Sequence, residues 1–163
     1  MLKSSEDIFE LLSEIPDTEI PVISIIDLGV VRNVEIADEK CIRLIITPTY
    51  SGCPAMKQIE DDVRKKLFEN GFSTIEIKTI YSPPWTTDWI TPEAKEKLRK
   101  YGIAPPEHTT EDKSWLIGKE KKIACPRCKS PKTKLVSQFG STACKALYQC
   151  EDCLEPFDYF KCI

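Results

Sequence analysis

Two CxxC motifs near the C-terminus set the first limit on the fold of this chain. They read CPRC and CEDC and are separated by 21 residues. Each motif can present two thiolates from one turn, and two such turns joined by a short antiparallel sheet place four sulfur atoms around one metal. So small a module has too little core to fold alone, and the metal supplies much of its stability. The sequence therefore predicts a β zinc ribbon over residues 119–163, with structural zinc held by Cys125, Cys128, Cys150 and Cys153.

The remaining cysteines leave the metal of this tail open. The chain has eight cysteines, and paired CxxC spacings in a reducing compartment indicate metal or redox chemistry more often than disulfides. Cys144 and Cys162 are either small thiols within the ribbon or further ligands, one of which replaces a knuckle cysteine or helps to hold a redox-active cluster. Iron in place of zinc is the corresponding alternative for the metal.

The N-terminus and the charge distribution restrict the location and the partners. The opening stretch MLKSSEDIFELLSEI carries acids and helical periodicity, unlike a signal peptide, and no segment is long and apolar enough to span a membrane. We therefore expect a cytoplasmic protein with no membrane partner. Residues 119–163 carry nine basic and five acidic side chains, whereas the rest of the chain carries 14 basic and 21 acidic ones. The acidic main body argues against a nucleic-acid partner.

The first 101 residues have the pattern of a small α/β (α+β) domain. A capped helix is predicted to follow Ser4 and to end at Pro16. The next predicted elements are strands, which read VVRNVEIA, CIRLIIT and TIEIKTI, and the second is apolar enough for a central strand covered on both faces. A helix from about Pro54 to Glu69 separates the second and third strands. This order fits a strand–helix–strand crossover within a mixed sheet.

The segment after the third strand contains two tryptophans, a short helix and a predicted linker. SPPWTTDW places Trp85 and Trp89 beside two prolines, where they either cover the core or dock a partner protein. Thr91 is the expected cap of the helix that follows. Residues 102–118 are polar and proline-rich and predict a linker. The one histidine, His108, lies in it and is expected to be a solvated loop residue rather than a catalytic base.

An isolated cysteine occurs in TPTYSGCPAM, where a buried strand is predicted to end and a helix to begin. The backbone amides and the positive end of the helix dipole at such a position favour the thiolate of Cys53. A thiolate there can bind a soft metal or an iron–sulfur unit, or attack an electrophile; the alternative is a cysteine packed beneath the turn. A nucleophile usually needs a base in reach, and a di-iron carboxylate site normally needs two ExxH turns. With one histidine and no P-loop, GxGxxG or HExxH motif, the sequence favours metal handling over enzyme catalysis.

Several motifs together resemble a known family. DTEIPVISIIDLGVV, LIITPTYSGCPA and SPPWTTDWIT, in this order, resemble the domain shared by SufT-like iron–sulfur assembly factors. The tail motifs CPRCKS, FGSTACKALYQC and EPFDYFKC narrow the resemblance to the PaaD (PaaJ) family, which is tied to the phenylacetyl-CoA 1,2-epoxidase system. The resemblance covers nearly the whole chain and fits a front domain over residues 1–101, a linker over 102–118 and the ribbon over 119–163.

The resemblance also implies a role and a site. It implies a non-catalytic accessory factor that helps to assemble iron–sulfur or di-iron centres, with oxygenase components or assembly proteins as partners and an iron–sulfur cluster or iron as transient cargo. Cys53 is the implied functional thiol, and Asp17, Glu19 and Thr47 are the candidates that accompany it. The acidic motif of the family reads Asp-Pro-Glu, whereas this chain has Thr18 in place of the stiffening proline.

Two expectations follow from this implied role. One cysteine per chain cannot hold a cluster, because clusters usually take four thiolates, so we expect a homodimer or a ligand from a partner or a small thiol. The alternative role is a structural subunit of the oxygenase complex that transfers no metal.

Overall fold

The computed structural model describes residues 4–50, 52–106, 123–142 and 145–160. The chain divides into two compact units, Met1–Trp85 and Thr86–Ile163. Among the helices of the described residues, none has the length and apolar character to cross a membrane. Some of the predictions fall outside the described residues, namely those for His108, Cys144, Cys162 and residues 107–118 of the linker.

The first unit opens with helix α1, Ser5–Leu12. The Ser4 hydroxyl accepts a hydrogen bond from the Asp7 amide at 3.2 Å, and the Asp7 carboxylate accepts one from the Ser4 amide at 3.1 Å. This reciprocal pair fixes the start of the helix by satisfying two of its free amides. Ile8 and Leu12 lie on one face and are fully buried. The predicted cap at Ser4 is therefore confirmed, whereas the helix ends at Leu12, before the predicted end at Pro16.

A mixed three-stranded sheet forms the centre of the first unit. Its strands are β1 (Val31–Asp38), β2 (Cys41–Ile46) and β3 (Thr74–Thr79), in that spatial order. β1 runs antiparallel to β2, and β3 runs parallel to β2. Helix α2, Ala55–Glu69, makes the connection that the parallel pair requires. The predicted α+β class and strand–helix–strand order are confirmed.

The sheet buries one face only. Ile42, Leu44 and Ile46 of β2 are at most 1% exposed. On the other face Arg43 is exposed and forms ion pairs with Glu76 at 2.9 Å and with Glu35 at 3.9 Å. The expectation of a strand covered on both faces was wrong, because the alternation around Arg43 assigns that side of β2 to solvent.

The second unit begins with a 3₁₀ turn, Thr87–Trp89, followed by helix α3, Pro92–Tyr101. The Thr91 hydroxyl accepts a hydrogen bond from the Ala94 amide at 3.2 Å, which confirms the predicted cap. Gly102 ends the helix in the left-handed conformation, with φ of 93°.

The ribbon is a four-stranded sheet in the order β4-β7-β6-β5. Its strands are β4 (Ile103–Ala104), β5 (Thr133–Ser137), β6 (Lys145–Cys150) and β7 (Pro156–Phe160). β6 pairs antiparallel with β5 and β7, as a zinc ribbon requires, whereas β4 runs parallel to β7. The sequence predicted a short antiparallel sheet between the knuckles, which β5 and β6 form, but it did not predict β4 or β7.

Strand β4 changes the predicted domain boundary. Ile103 and Ala104 pair with Asp158 and Tyr159 and are both buried. They belong to the ribbon sheet, so the linker does not begin at residue 102, and the first unit ends at Trp85 instead of residue 101. A strand of two residues has no detectable alternation, which is why composition alone indicated a linker.

The core of the ribbon surrounds two of its cysteines. Tyr148 stacks on Phe157, with ring centroids 5.9 Å apart, and meets Tyr159 edge-on at 5.8 Å. The buried cluster consists of Ala104, Ile123, Cys125, Ala146, Tyr148, Cys150, Phe157 and Tyr159. Two knuckle sulfurs are thus anchored in the hydrophobic core of the module.

Candidate metal and thiol sites

The four cysteines of the CxxC motifs converge as predicted. Their sulfur atoms all lie within 4.8 Å of one another. The Cys128 and Cys150 sulfurs are 3.5 Å apart, and those of Cys125 and Cys153 are 3.8 Å apart. A tetrahedral zinc site with bonds of about 2.3 Å has sulfur–sulfur edges of about 3.8 Å. The donor set and spacing therefore fit a four-thiolate zinc ion, which would be structural because every coordination position is filled by the chain.

The two knuckles, residues 125–130 and 150–155, have the same backbone form. In each, the amide of the first cysteine donates to the carbonyl five residues later: Cys125 to Ser130 at 2.9 Å and Cys150 to Glu155 at 3.0 Å. The residue after each second cysteine is left-handed, with φ of 63° at Lys129 and 64° at Leu154. This tight turn brings the two sulfurs of each motif to one side, which explains the CxxC spacing.

Backbone amides also donate to the sulfurs. The Cys153 amide, 3.5 Å from the Cys150 sulfur, is the main cause that lowers the pKa of Cys150 to about 7, and the Asp152 amide adds to it. The Glu155 amide favours the Cys153 thiolate, but burial and the neighbouring sulfurs outweigh it and raise the pKa of Cys153 to about 12. The Ser130 amide likewise favours the Cys128 thiolate, but the Cys150 sulfur and burial outweigh it and raise the pKa of Cys128. A bound cation stabilises all of these thiolates together, so metal binding releases protons.

Two further residues connect the knuckles, and sequence analysis missed both. The Ser130 hydroxyl donates a hydrogen bond to the Asp152 carboxylate, from one knuckle to the other. The residues are 22 positions apart; Asp152 lies within CEDC and Ser130 just after CPRC, but neither is one of the four cysteines. Only the facing of the two turns brings them together, so no local pattern signals the contact.

Cys53 lies where the sequence predicts it, between β2 and α2. Its amide donates to the Tyr50 carbonyl at 3.3 Å, and its own carbonyl accepts from the Met56 amide at 3.3 Å. The thiol is partly exposed. Pro54 occupies the cap of α2 without a side-chain hydrogen bond, and the first turn of the helix contains no acid. The positive end of this helix is therefore not neutralised by a carboxylate from its own first turn.

Thr47 directly follows β2 and has an unusual environment. It is 1% exposed, and its amide donates to the Val30 carbonyl at 2.8 Å. Its hydroxyl oxygen is the one buried side-chain nitrogen or oxygen among the described residues that has no hydrogen-bond partner. Such an oxygen costs about 1–3 kcal/mol in a folded protein, so its persistence in a native structure needs an explanation.

Asp17 organises its own loop. Its carboxylate oxygen Oδ2 accepts hydrogen bonds from the Glu19 amide at 2.9 Å and the Ile20 amide at 2.8 Å. The Asp17 amide donates to the Ile23 carbonyl at 2.8 Å. These bonds hold the turn with Thr18, and not a proline, between the two acids.

The described residues contain one group of three or more convergent metal-ligating side chains, the cysteine quartet of the ribbon. Asp17, Glu19 and Cys53 do not form a comparable group, so within the described parts of the chain they are not a preformed metal site. Their role in cargo transfer stays a prediction, as does that of Thr47.

The structure corrects one member of the expected docking pair. Trp85 is 5% exposed, and its indole nitrogen donates to the Leu28 carbonyl at 2.7 Å. Its ring is therefore part of the core of the first unit and cannot present a docking surface in this conformation. Trp89 is partly exposed, and its role in docking stays a prediction.

Two family patterns match the chain. The pattern described as an iron–sulfur cluster assembly protein matches residues 5–69, and the PaaD zinc beta ribbon domain matches residues 109–161. The first range contains Asp17, Glu19, Thr47 and Cys53, and the second contains the four ribbon cysteines. Each of the two units thus contains one of the matched regions completely.

Individual relatives agree with these patterns. A solved domain of unknown function from Bacillus anthracis superposes with a TM-score of 0.54 at 29% identity, covering 57% of this chain and 89% of that one. An Fe-S protein maturation auxiliary factor of Porphyromonas gingivalis is 34% identical over 60% of this chain and 92% of its own length. A protein of Escherichia coli K12 that is named as a putative 1,2-phenylacetyl-CoA epoxidase subunit is 51% identical over 96% of this chain and 92% of its own length. This chain therefore belongs to the PaaD family of phenylacetyl-CoA epoxidase subunits.

Proposed function

We propose that this protein is an accessory factor that helps to assemble iron–sulfur or di-iron centres for a phenylacetyl-CoA oxygenase, and that Cys53 handles the cargo. The observation that carries the proposal is the iron–sulfur cluster assembly match over residues 5–69, within a chain 51% identical to a protein named as an epoxidase subunit. The relatives that share the front region are named maturation auxiliary factors. An assembly role for a non-catalytic protein agrees with both sets of names.

The surroundings of Cys53 support a thiol that meets its cargo from solvent. The thiol is partly exposed at the start of a 15-residue helix whose first turn carries no acid. The unpartnered hydroxyl of Thr47 at the end of β2 supports a polar role for the same connection, because a buried hydroxyl without a partner is destabilising unless something uses it.

The ligand count defines how the cargo is bound. Iron–sulfur clusters usually take four thiolates. The four ribbon cysteines converge on a site of their own and are not available for this cargo. Cys53 of one chain therefore binds cargo together with ligands from a second copy, a client protein or a small thiol. The protein acts as a temporary holder and not as a resident cluster protein.

Anaerobic reconstitution with iron and sulfide tests this role. The wild-type chain should develop visible sulfur-to-iron charge-transfer absorption, and Cys53→Ser should not. Cys41→Ser is the matched control, because Cys41 is also a partly exposed free thiol of the first unit but lies at the start of β2. Absorption that survives in Cys53→Ser, or is lost equally in Cys41→Ser, rules out Cys53 as the essential ligand.

A structural subunit without metal transfer is the second candidate. The word subunit in the name of the Escherichia coli relative favours it. This role predicts co-purification with the oxygenase at fixed stoichiometry and full oxygenase activity in a Cys53→Ala strain. The assembly role predicts instead that the oxygenase from that strain lacks iron and regains activity when its centres are rebuilt in vitro.

A further inference from the structure

We infer that the side chains of Ser130 and Asp152 form a clasp between the two knuckles, which positions Cys128 and Cys150 for the metal. The clasp is the hydrogen bond from the Ser130 hydroxyl to the Asp152 carboxylate. It concerns the ribbon alone and is independent of the cargo role of Cys53. Neither residue is a metal ligand; both are positioning residues.

The orientation of the Ser130 hydroxyl is fixed from both sides. While it donates to Asp152, its oxygen accepts a hydrogen bond from the Lys132 amide at 3.1 Å. Ser130 is 9% exposed, so water has little access to its hydroxyl, although the Asp152 side chain is 49% exposed. A hydroxyl held as donor and acceptor at once has no rotational freedom left, which makes it an effective connection between two turns.

Each clasp residue lies two positions after a cysteine of its own knuckle. Ser130 follows Cys128 and Asp152 follows Cys150, so each clasp residue shares a tight turn with one of these two sulfurs. These two sulfurs form the closer of the two cross-knuckle pairs, at 3.5 Å. The side-chain bond therefore joins the two turns that carry these two sulfurs. Loss of the bond lets each turn rotate with its own sulfur, and the distance between the sulfurs is no longer set before the metal binds.

Other cross-knuckle contacts do not replace this one. The Lys132 ammonium lies 3.7 Å from the second Asp152 oxygen, but the two side chains are 70% and 49% exposed. An ion pair that exposed contributes little. The Glu151 amide donates to the Lys132 carbonyl at 2.8 Å, and this backbone bond is unaffected by side-chain substitution. The clasp, which is buried on its Ser130 side, is thus the cross-knuckle side-chain contact that a point mutation can remove.

Zinc-release kinetics on the full zinc-loaded chain test the clasp. We expect Ser130→Ala and Asp152→Ala each to speed zinc transfer to a chromogenic chelator by about tenfold, the usual scale for residues that orient metal ligands. The double variant should be no faster than the faster single variant, because removing either partner already breaks the bond. Rates that multiply in the double variant would show that the two side chains act independently and would overturn the clasp.

Two further variants separate the clasp from charge and from general disruption. Glu151→Ala removes an equal charge from the same turn without touching the clasp, and it should stay within about twofold of wild type. Ser130→Thr keeps the hydroxyl and should retain zinc and the wild-type absorption of the cobalt-substituted site, whereas Ser130→Ala should change that absorption. If Ser130→Ala holds no metal at all, retention in Ser130→Thr supports the clasp, and equal loss in both variants overturns it. A Glu151→Ala effect as large as that of Asp152→Ala also overturns it.

Discussion

The ribbon gathers four sulfur atoms into one site, whereas the front unit presents Cys53 without convergent ligands. In the ribbon, each thiolate receives backbone hydrogen bonds or core packing, and two of the four cysteines are buried. At Cys53 the chain provides a helix start and partial exposure, and nothing in the described residues completes a metal site. The first arrangement suits a metal that stays, and the second suits one that is passed on. Variants of each unit test this difference.

The largest effect is expected from Cys150→Ser. This sulfur is fully buried and belongs to the ribbon core, so the variant loses both a ligand and a packing contact. Zinc content should fall from about one per chain to near zero, because the binding energy of a structural zinc is also folding energy for its module. Metal analysis checks the content, and hydrogen exchange should show loss of protection in β5 to β7 with little change in β1 to β3. Equal loss in both units would contradict a separate role for the ribbon metal.

Acidification should weaken zinc binding with a change of slope near pH 7. Above that pH the metal-free ribbon already holds Cys150 as a thiolate, because its pKa is about 7, whereas Cys153, with a pKa of about 12, always keeps a proton for zinc to displace. Below pH 7 the Cys150 proton must be displaced as well. The slope of log affinity against pH should therefore increase by about one, an additional tenfold loss per pH unit. Competition titrations from pH 6 to 8 measure it, and a single unbroken slope would contradict it.

Asp17→Ala should destabilise the first unit by about 2 kcal/mol, because two amides lose an ionised acceptor. Asp17→Asn keeps an acceptor oxygen and should cost less. Denaturant unfolding of both variants measures how much the Asp17 side chain contributes to the free energy of unfolding. If Asp17→Asn is as stable as wild type but fails in iron–sulfur reconstitution, the carboxylate is needed by the cargo as well as by the loop.

The smallest effect, and the one with the opposite sign, is expected from Thr47→Val. Valine has nearly the same shape and removes the unpartnered buried hydroxyl, so the free energy of unfolding should rise by about 1 kcal/mol. Thr79→Val is the matched control on β3, because the Thr79 hydroxyl is bonded to Glu60 at 3.2 Å, and it should give no gain. If Thr47→Val is more stable but reconstitutes a cluster less well, the Thr47 hydroxyl lowers stability in return for function. If the variant is less stable, the hydroxyl is not unpartnered as described.

The sequence allowed a good prediction of the parts whose cause is local. The CxxC turns depend on residues three positions apart, and the start of α2 depends on the Cys53–Pro54 step after an apolar strand. Capping at Ser4 and Thr91 is equally local, and the structure has these features where they were predicted. Within the candidate sites, the sequence allowed prediction of the four ribbon cysteines and of the start of α2 beside Cys53. The hydrogen bonds around these residues were not predictable.

The features that sequence analysis missed depend on contacts between distant residues. β4 exists because Ile103 and Ala104 meet β7 more than 50 positions later. The burial of Trp85 depends on a carbonyl 57 positions earlier, at Leu28. The exposed side of β2 depends on what covers each face of the sheet, and Arg43 is the one charged residue of CIRLIIT that signals it.

The parallel pairing of β2 with β3 has a consequence for folding and for motion. β1 and β2 are joined by a tight turn, so they can pair early, whereas β3 reaches β2 only after the Cys53 connection and α2 have been laid down. Pairing over so long a separation forms late and slowly. This connection links β2 to β3 through α2. A large backbone movement at Cys53 would therefore disturb the pairing of these two strands. The cargo role proposed for this thiol would therefore require side-chain rotation and ligand exchange, with the backbone of the sheet left in place.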